Sequence, residues 1–544
     1  MLLKEKIKNL IIEVLKNKKI ELIEFEVEKP KEEKFGDFSS NIAMKLAKIL
    51  RKSPRDIAND LKEELEKKDE FKKVEIAGAG FINFYLKNDI ILGILEEVLK
   101  TKDDFGKLEI GENKKVMVEY ISANPTGHLH VGHGRGAVVG DVIANSLIAA
   151  GYDVLKEYYI NDAGKQIENL SKSVYLRYKE VLGEKIDFLD NGYNGEYIYD
   201  IAREIKDKYS GEKNKEFDSV KDFFTEYSLE WCLSSIKKDL NDFGIKFDNW
   251  FSEKSLYEDN KVLETMKELE EKKFIYEKDG AKWFKTTDFG DDKDRVVIRD
   301  NGTTTYYASD IAYHENKIKR GYTKLIDVWG ADHHGYVKRV KASLEALGYS
   351  ENDLDVILVQ IVNLYKDGQP FVMSKRTGNF ITLRELMEEV GKDAARIFFI
   401  MRSSDSQFDF DLEAAKEQSS SNPAYYIQYA HARICSILDK AKINLDKPRN
   451  YKLELIKEDE EIKLIKKMDE LKEVIELVSR NYEVHRLVKY SQELAGLFHT
   501  FYNKHKVLTE DEELTEARLA LLLGVKITLK NILTIMGVSA PERM

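Results

Sequence analysis

Hydrophobic positions change their period along this chain, and each change marks a different kind of structure. The opening MLLKEKIKNLIIEVLKNKK spaces its apolar residues as an amphipathic helix does, and helical spacing continues over 41–50 and 53–67. At 74–86 it gives way to VEIAGAGFINFYL, whose β-forming residues and glycines predict strands and turns. The middle opens with an apolar, strand-like run at 116–121, followed by the glycine-rich HVGHGRG and the helical AVVGDVIANSLIAAG. Farther on, LIDVWG and DVILVQIVNLY read as buried strands, with the helical VKRVKASLEALG between them. Strand, glycine turn, helix and strand again is the order of a parallel α/β sheet. A charged, helix-leaning stretch at 165–300 interrupts that order and is read as an insertion between two halves of the sheet. The last region is helical: Ile465, Met468, Leu471, Ile475 and Val478 form one core-facing stripe, and TEARLALLLGVKITLKNILTIMG is an apolar helix interrupted by Gly524. Three domains are expected, at 1–105, 106–405 and 406–544.

Composition narrows this picture. At roughly 100–200 residues per domain, 544 residues allow three or four domains. No apolar run approaches the roughly 18 residues of a membrane span, and the N-terminus lacks a secretory signal, so a cytoplasmic protein without membrane contact is expected. Cys232 and Cys435 are too far apart for a CxxC pair, which excludes a cysteine zinc site. The net charge of −11 argues against a nucleic-acid partner until it is divided. Residues 1–100 carry +1, 101–410 carry −11 and 411–544 carry −1, so the acidic surplus is central.

The chemistry concentrates in SANPTGHLHVGHGRGAVVGD, 122–141, where a strand hands over to a helix. Gly132, Gly134 and Gly136 let backbone approach a nucleotide, and the following helix offers free N–H groups to phosphate. His130 and His133 can donate to phosphate oxygens as charge develops. A tight turn capped by two histidines is the plain alternative. Downstream, VMSKRTGNF at 372–380 is a cationic loop suited to a triphosphate, although alone it reads as a solvated basic surface.

His130-Val131-Gly132-His133 and Met373-Ser374-Lys375-Arg376 resemble the HIGH and KMSKS signatures of class I aminoacyl-tRNA synthetases. Val372 and Arg376 depart from the second signature, whereas its second lysine is kept as Lys375. FGDFSSNIAMKLAK, AGAGFINFYL, YYINDAGKQI, GTTTYYASDIAYH, VWGADHHGY, NPAYYIQYAHAR and the ending GVSAPERM make nearly the whole chain similar to the arginyl-tRNA synthetases.

That resemblance implies a Rossmann-type catalytic domain with a connective insertion. It is preceded by an α+β N-terminal tRNA-binding domain and followed by an all-α anticodon-binding bundle. It implies ligation of arginine to tRNA(Arg) through an arginyl-adenylate, with tRNA normally needed for adenylate formation. ATP with Mg2+ is the implied nucleotide; no zinc, no obligate protein partner and a monomer are expected. Catalysis falls to His130, His133 and Lys375. ATP binding falls to His130, Gly132, His133, Gly134, Met373, Ser374 and Lys375. Arginine falls to Glu119, Ser122, Asn124, His130, Tyr306, Asp310 and His333, since a guanidinium calls for facing carboxylates. tRNA falls to Asn41, Tyr425, Tyr429, Arg433, Tyr502 and Met544, where aromatics and arginine suit unpaired bases. Competing readings are a cysteinyl enzyme, whose zinc cysteines are missing, a small-molecule nucleotidyltransferase, and a non-catalytic tRNA-binding relative.

Overall fold

The computed structural model describes residues 2–209, 211–371, 381–441 and 451–544. Its centre is a five-stranded sheet of β1 (Lys115–Tyr120), β2 (Asp153–Ile160), β3 (Asn249–Ser252), β4 (Lys324–Gly330) and β5 (Leu354–Val359). The strand order is β5-β4-β1-β2-β3, and every neighbouring pair is parallel. Helices cover both faces, which is why β1 reads as a continuous apolar run. Helix α1 (Val131–Ala149) links β1 to β2, and Gly140 lets it lie against β1, since a Cβ there would come 2.3 Å from Tyr120. Helix α2 (Tyr306–Lys319) precedes β4 on the return path. Strand order therefore reverses between β1 and β4, where sheets of this kind open a crevice at their C-terminal edge.

Two sequence expectations need correction. The 165–300 stretch is two insertions, because Asn249–Ser252 returns to pair with β2. The first holds the helices Lys165–Val181, Glu196–Tyr209 and Phe217–Asp242; the second holds a three-stranded antiparallel sheet of Ile275–Lys278, Ala281–Phe284 and Arg295–Ile298. The strand escaped notice because NWFS is four half-exposed residues long. DVILVQIVNLY, read as one strand, breaks at Gln360–Ile361. Its second half, Val362–Lys366, joins another sheet with Gln369–Phe371 and Phe408–Asp411.

Residues ahead of the central sheet form four helices around a four-stranded antiparallel sheet, including the hairpin Phe71–Ala77 and Phe81–Leu86. Gly78 and Gly80 make its turn at positive φ. At the other end, Pro423–Ala441, Asp459–Asn481, His485–Lys504 and Glu512–Ile535 pack as a bundle. The predicted stripe from Ile465 to Val478 is buried, but it faces more than the bundle: Leu471 lies against Gly106, and Met468 lies beside Gly524. Gly524 is a close-approach point rather than a break, since a Cβ there would sit 2.6 Å from Leu95. The N-terminal domain rests on the same helix, through Leu3 N–H to Asp469 (3.3 Å), Lys4 to Glu473 (2.6 Å) and the pairs Lys29–Glu470 and Lys466–Asp37. Among the described residues no helix is long and apolar enough to cross a membrane.

Candidate functional site

The chain leaves β1 through two consecutive left-handed residues, Ile121 (φ 71°) and Ser122 (φ 41°). A β-branched residue there is strained, and such strain persists only where the surroundings hold it. Here the turn sends Ser122 Oγ back to donate to Glu119 (2.7 Å), while Tyr159 N–H donates to the same hydroxyl (3.1 Å). His130 is the N-cap of α1, and its backbone N–H donates to His133 Nδ1 (3.3 Å). The two rings stack with centroids 3.7 Å apart. Gly132 makes room for the His130 ring, where a Cβ would come within 2.9 Å. Gly134 serves packing, its missing side chain being replaced by Phe399 and Leu383. Among the described residues nothing lies within 4 Å of a Cβ at Gly136.

The segment after 372–380 is stitched to this turn: Val131 N–H donates to Ile381 O (3.2 Å), and Leu383 N–H to Leu129 O (2.8 Å). Met373, Ser374 and Lys375 themselves, with Val372 and Arg376, lie outside the described residues. Arg135, buried one turn into α1, donates to the carbonyls of Gln360, Phe399, Ser403 and Ser406. Burial without a bonded carboxylate draws its guanidinium down to about 10.

Beneath the crevice, strand register places Asp327, Glu119, Glu157 and Asn249 side by side across β4, β1, β2 and β3. Three adjacent buried carboxylates need cations, and α2 supplies them from one stripe. Lys317, fully buried, donates to Glu119 (2.5 Å) and Asp327 (2.9 Å). Arg320, just past the helix, takes Glu157 in both oxygens (2.6 and 2.7 Å), and Tyr313 Oη and Asn249 also donate to it. His314 meets Asp327 (2.8 Å) and the Asp310 carbonyl (2.8 Å).

Two further carboxylates lack such cover. Asp310 accepts from Tyr336 Oη and forms no ion pair among the described residues; burial pushes its pKa up to about 6, and the nearby Glu119 adds to the rise. Glu253, 2% exposed, also forms no ion pair among the described residues. Burial raises it to about 7, with the charge of Asp310 contributing. The Asn161 amide, oriented to satisfy its neighbours, donates to it at 3.0 Å. Tyr159 lies among Glu253, Asp310 and Glu119, and burial followed by those charges pushes its hydroxyl far up.

Asn124 is exposed and donates to Gln166 (2.8 Å). Tyr306, 54% exposed, hangs over Gly164, where a Cβ would come 3.0 Å from its hydroxyl. His333 is exposed and sits near Trp329 and Asp332; the residue of its turn that reaches Asp310 is Tyr336. Among the described residues no cluster of three or more His, Cys, Asp or Glu is arranged to hold a metal ion.

Comparison with known proteins matches nearly the whole chain in three parts. Residues 1–86 match the arginyl tRNA synthetase N terminal domain, 94–420 the class I (R) tRNA synthetase catalytic domain, and 427–544 the DALR anticodon binding domain. An arginine–tRNA ligase of Citrifermentans bemidjiense is 54% identical over 524 residues, covering 95% of this chain and 94% of its own. Another, of Oceanobacillus iheyensis, is 48% identical over 547 residues, covering 100% and 98%. The chain belongs to the arginyl-tRNA synthetase family. The solved arginyl-tRNA synthetase of Thermus thermophilus shares its fold, with a TM-score of 0.78 at 22% identity over the full length of both chains.

In this synthetase the bundle carries a platform of rings. Tyr425 stacks on Tyr429 (5.9 Å, 9°), and Tyr429 on His499 (6.0 Å, 26°), with Tyr426 tilted against the same imidazole. Arg433 lies over Tyr502 (4.5 Å) and donates to Tyr429 Oη. Tyr426 belongs to the tyrosine run the sequence shows after Pro423, with Tyr425 and Tyr429, whereas His499 was not singled out in the sequence. Met544 is 57% exposed, on a tail that His431 holds through the Pro541 carbonyl (2.9 Å).

At the synthetase's other end, Asn41 stands at a helix N-cap position without capping it; its side chain pairs with Glu26 instead. It lines a pocket of about 450 Å³ with Ser39, Asn83, Lys29 and the exposed rings of Phe35 and Phe81. The last two, with Asn83, were also unmarked in the sequence, although FINFYL contains two of the three.

Proposed function

We propose that this arginyl-tRNA synthetase reads the guanidinium of arginine with Asp310 and Glu253, assisted by Tyr306, Tyr336 and Tyr159. The observation carrying this reading is the inequality among five carboxylates. Glu119, Glu157 and Asp327 already hold Lys317 and Arg320, whereas Asp310 and Glu253 have no cation partner among the described residues. Glu119, tied by Ser122 and Lys317, completes the wall, and Asn124 holds the α-amino-acid end.

In the first step an arginine carboxylate oxygen attacks the α-phosphorus of ATP, forming the arginyl–phosphate bond as the bond to the β-phosphate breaks and pyrophosphate leaves. His130 and His133 at the N-terminus of α1, with Lys375, stabilise the charge that builds on the phosphates. Gly132, Gly134, Met373 and Ser374 complete the ATP site. Mg2+ would ride on the nucleotide's own phosphates and water, which suits a crevice whose carboxylates are committed to a cationic side chain. In the second step the terminal ribose hydroxyl of tRNA(Arg) attacks the arginyl carbonyl, and AMP leaves.

The platform of Tyr425, Tyr429, Arg433 and Tyr502, with His499, takes unpaired anticodon-loop bases, and Met544 closes the chain beside it. The N-terminal pocket around Asn41, Asn83 and Phe81 takes a base exposed elsewhere on the tRNA. The working division remains 1–105, 106–405 and 406–544, in a cytoplasmic monomer without zinc or an obligate protein partner.

Arginine-dependent pyrophosphate exchange, measured with and without tRNA(Arg), tests the reading. Exchange that needs both arginine and tRNA supports it; exchange driven by cysteine, or by no amino acid, overturns it.

A further inference from the structure

Lys317 is a fully buried lysine with no route to solvent and no contact expected with ATP or tRNA, yet it occupies the floor of the arginine site. Its ammonium is saturated by Glu119, Asp327 and the face of Tyr313, 4.3 Å from the ring centroid. The stripe it belongs to, with Tyr306, Asp310, Tyr313 and His314, is the polar face of a helix turned into the protein, against three acids in register. A buried ion pair of this kind is poor evidence for stability alone, since a well-packed apolar replacement often does as well. Its retention asks for another purpose.

We infer that Lys317 is a positioning residue for arginine recognition: by holding Glu119 and Asp327 as its own counter-ions, it leaves Asp310 and Glu253 as the carboxylates that receive the substrate guanidinium. This rests on the pocket proposed above. Without the lysine, Glu119 loses its cation and Asp327 keeps only His314, which leaves added negative charge in the same floor. The guanidinium then has competing partners in the same floor. The added negative charge also favours protonation of Asp310. Around Asp310 stand Glu119 from β1, Tyr159 from β2, Glu253 just after β3, Tyr336 from the turn after β4, and His314 and Lys317 from its own helix. Of these, Lys317 is the only lysine or arginine.

The test uses the full chain and reads three quantities: KM for arginine, KM for ATP, and the acid limb of kcat/KM for arginine against pH. Lys317→Met is expected to raise the arginine KM about tenfold or more, to leave the ATP KM within about twofold, and to move the acid limb up by about one pH unit. Asp327→Asn, which removes an anion and spares the lysine, is expected to move that limb down. Lower melting temperatures with arginine KM and both limbs unmoved, or limbs that move the same way, overturn the inference. Should Lys317→Met fail to fold, the direction of the Asp327→Asn limb decides alone. Asp310→Asn runs beside them. If it leaves the arginine KM unchanged, the pocket reading falls and this inference with it; if it raises that KM while Lys317→Met and Asp327→Asn move nothing, only the role of Lys317 falls.

Discussion

At the C-terminal edge of the central sheet, the recognition proposed for arginine rests on charge taken out of water; in the helical bundle, the recognition proposed for tRNA rests on half-exposed rings around one arginine. The first arrangement holds five carboxylates, three of them compensated and two raised to about 6 and about 7 by burial. The second holds Tyr425, Tyr429 and His499 stacked at centroid separations near 6 Å, with Arg433 over Tyr502 at 4.5 Å. A fixed cation of one shape rewards the first design, because any uncharged amino acid leaves buried acids unpaired. Bases of several shapes reward the second, because every base has a face to stack.

The comparison breaks most readily at Asp310. Removing one partner of a buried charge pair costs about 2–5 kcal/mol, so Asp310→Ala should raise the arginine KM by about a hundredfold while ATP and tRNA constants stay put. Equal changes in arginine and ATP would show that the residue is structural. A smaller loss is expected at Tyr429→Ala. Stacking is worth about 1–3 kcal/mol per base, so the tRNA KM should rise tenfold or more in charging assays, with the arginine KM unchanged. A shift in the arginine KM would show the two regions to be coupled.

Acid should separate the regions next. Asp310 and Glu253 have pKa values above the ordinary carboxylate range, so they gain protons as pH falls through about 7 and then about 6, and a neutral acid cannot pair a guanidinium. The kcat/KM for arginine should therefore fall about tenfold per pH unit below about 7 and up to about a hundredfold per unit below about 6, and arginine binding near pH 6.5 should release protons measurable by calorimetry in two buffers. The tRNA KM should show no matching limb. The smallest kinetic effect belongs to Gly524→Ala. Its Cβ would press on Leu95 at 2.6 Å, costing about 1–3 kcal/mol of stability, visible in the melting temperature, while every KM stays as it was.

The sheet was legible because helices on both faces leave apolar runs, and the turn at His130 was legible because its glycines and imidazoles fall where strand meets helix. Asn249–Ser252 was not, being too short and half-exposed to show a pattern. Glu253 was hidden for the same reason: once 165–300 is read as insertion, an acid inside it has no claim on the site. The stripe of Tyr306, Asp310, Tyr313, His314 and Lys317 was open to view. A helix whose polar residues recur at helical spacing ahead of a buried strand ordinarily faces water, and only the register of Asp327, Glu119 and Glu157 turns that face inward. At Gly134 the sequence showed the glycine but not its packing partners, since the space of its missing side chain belongs to Phe399 and Leu383.

Helix Asp459–Asn481 carries a consequence of its own. It packs in the bundle beside the ring platform's helices and also receives Leu3, Lys4 and Lys29 of the N-terminal domain. The chain is thus closed into a caliper, its two jaws set on one rod although they stand at opposite ends of the sequence. On the tRNA contacts proposed above, engaging one jaw would raise the local concentration of its ligand at the other, and a tRNA would be gauged by the distance between two of its bases as well as by their identity.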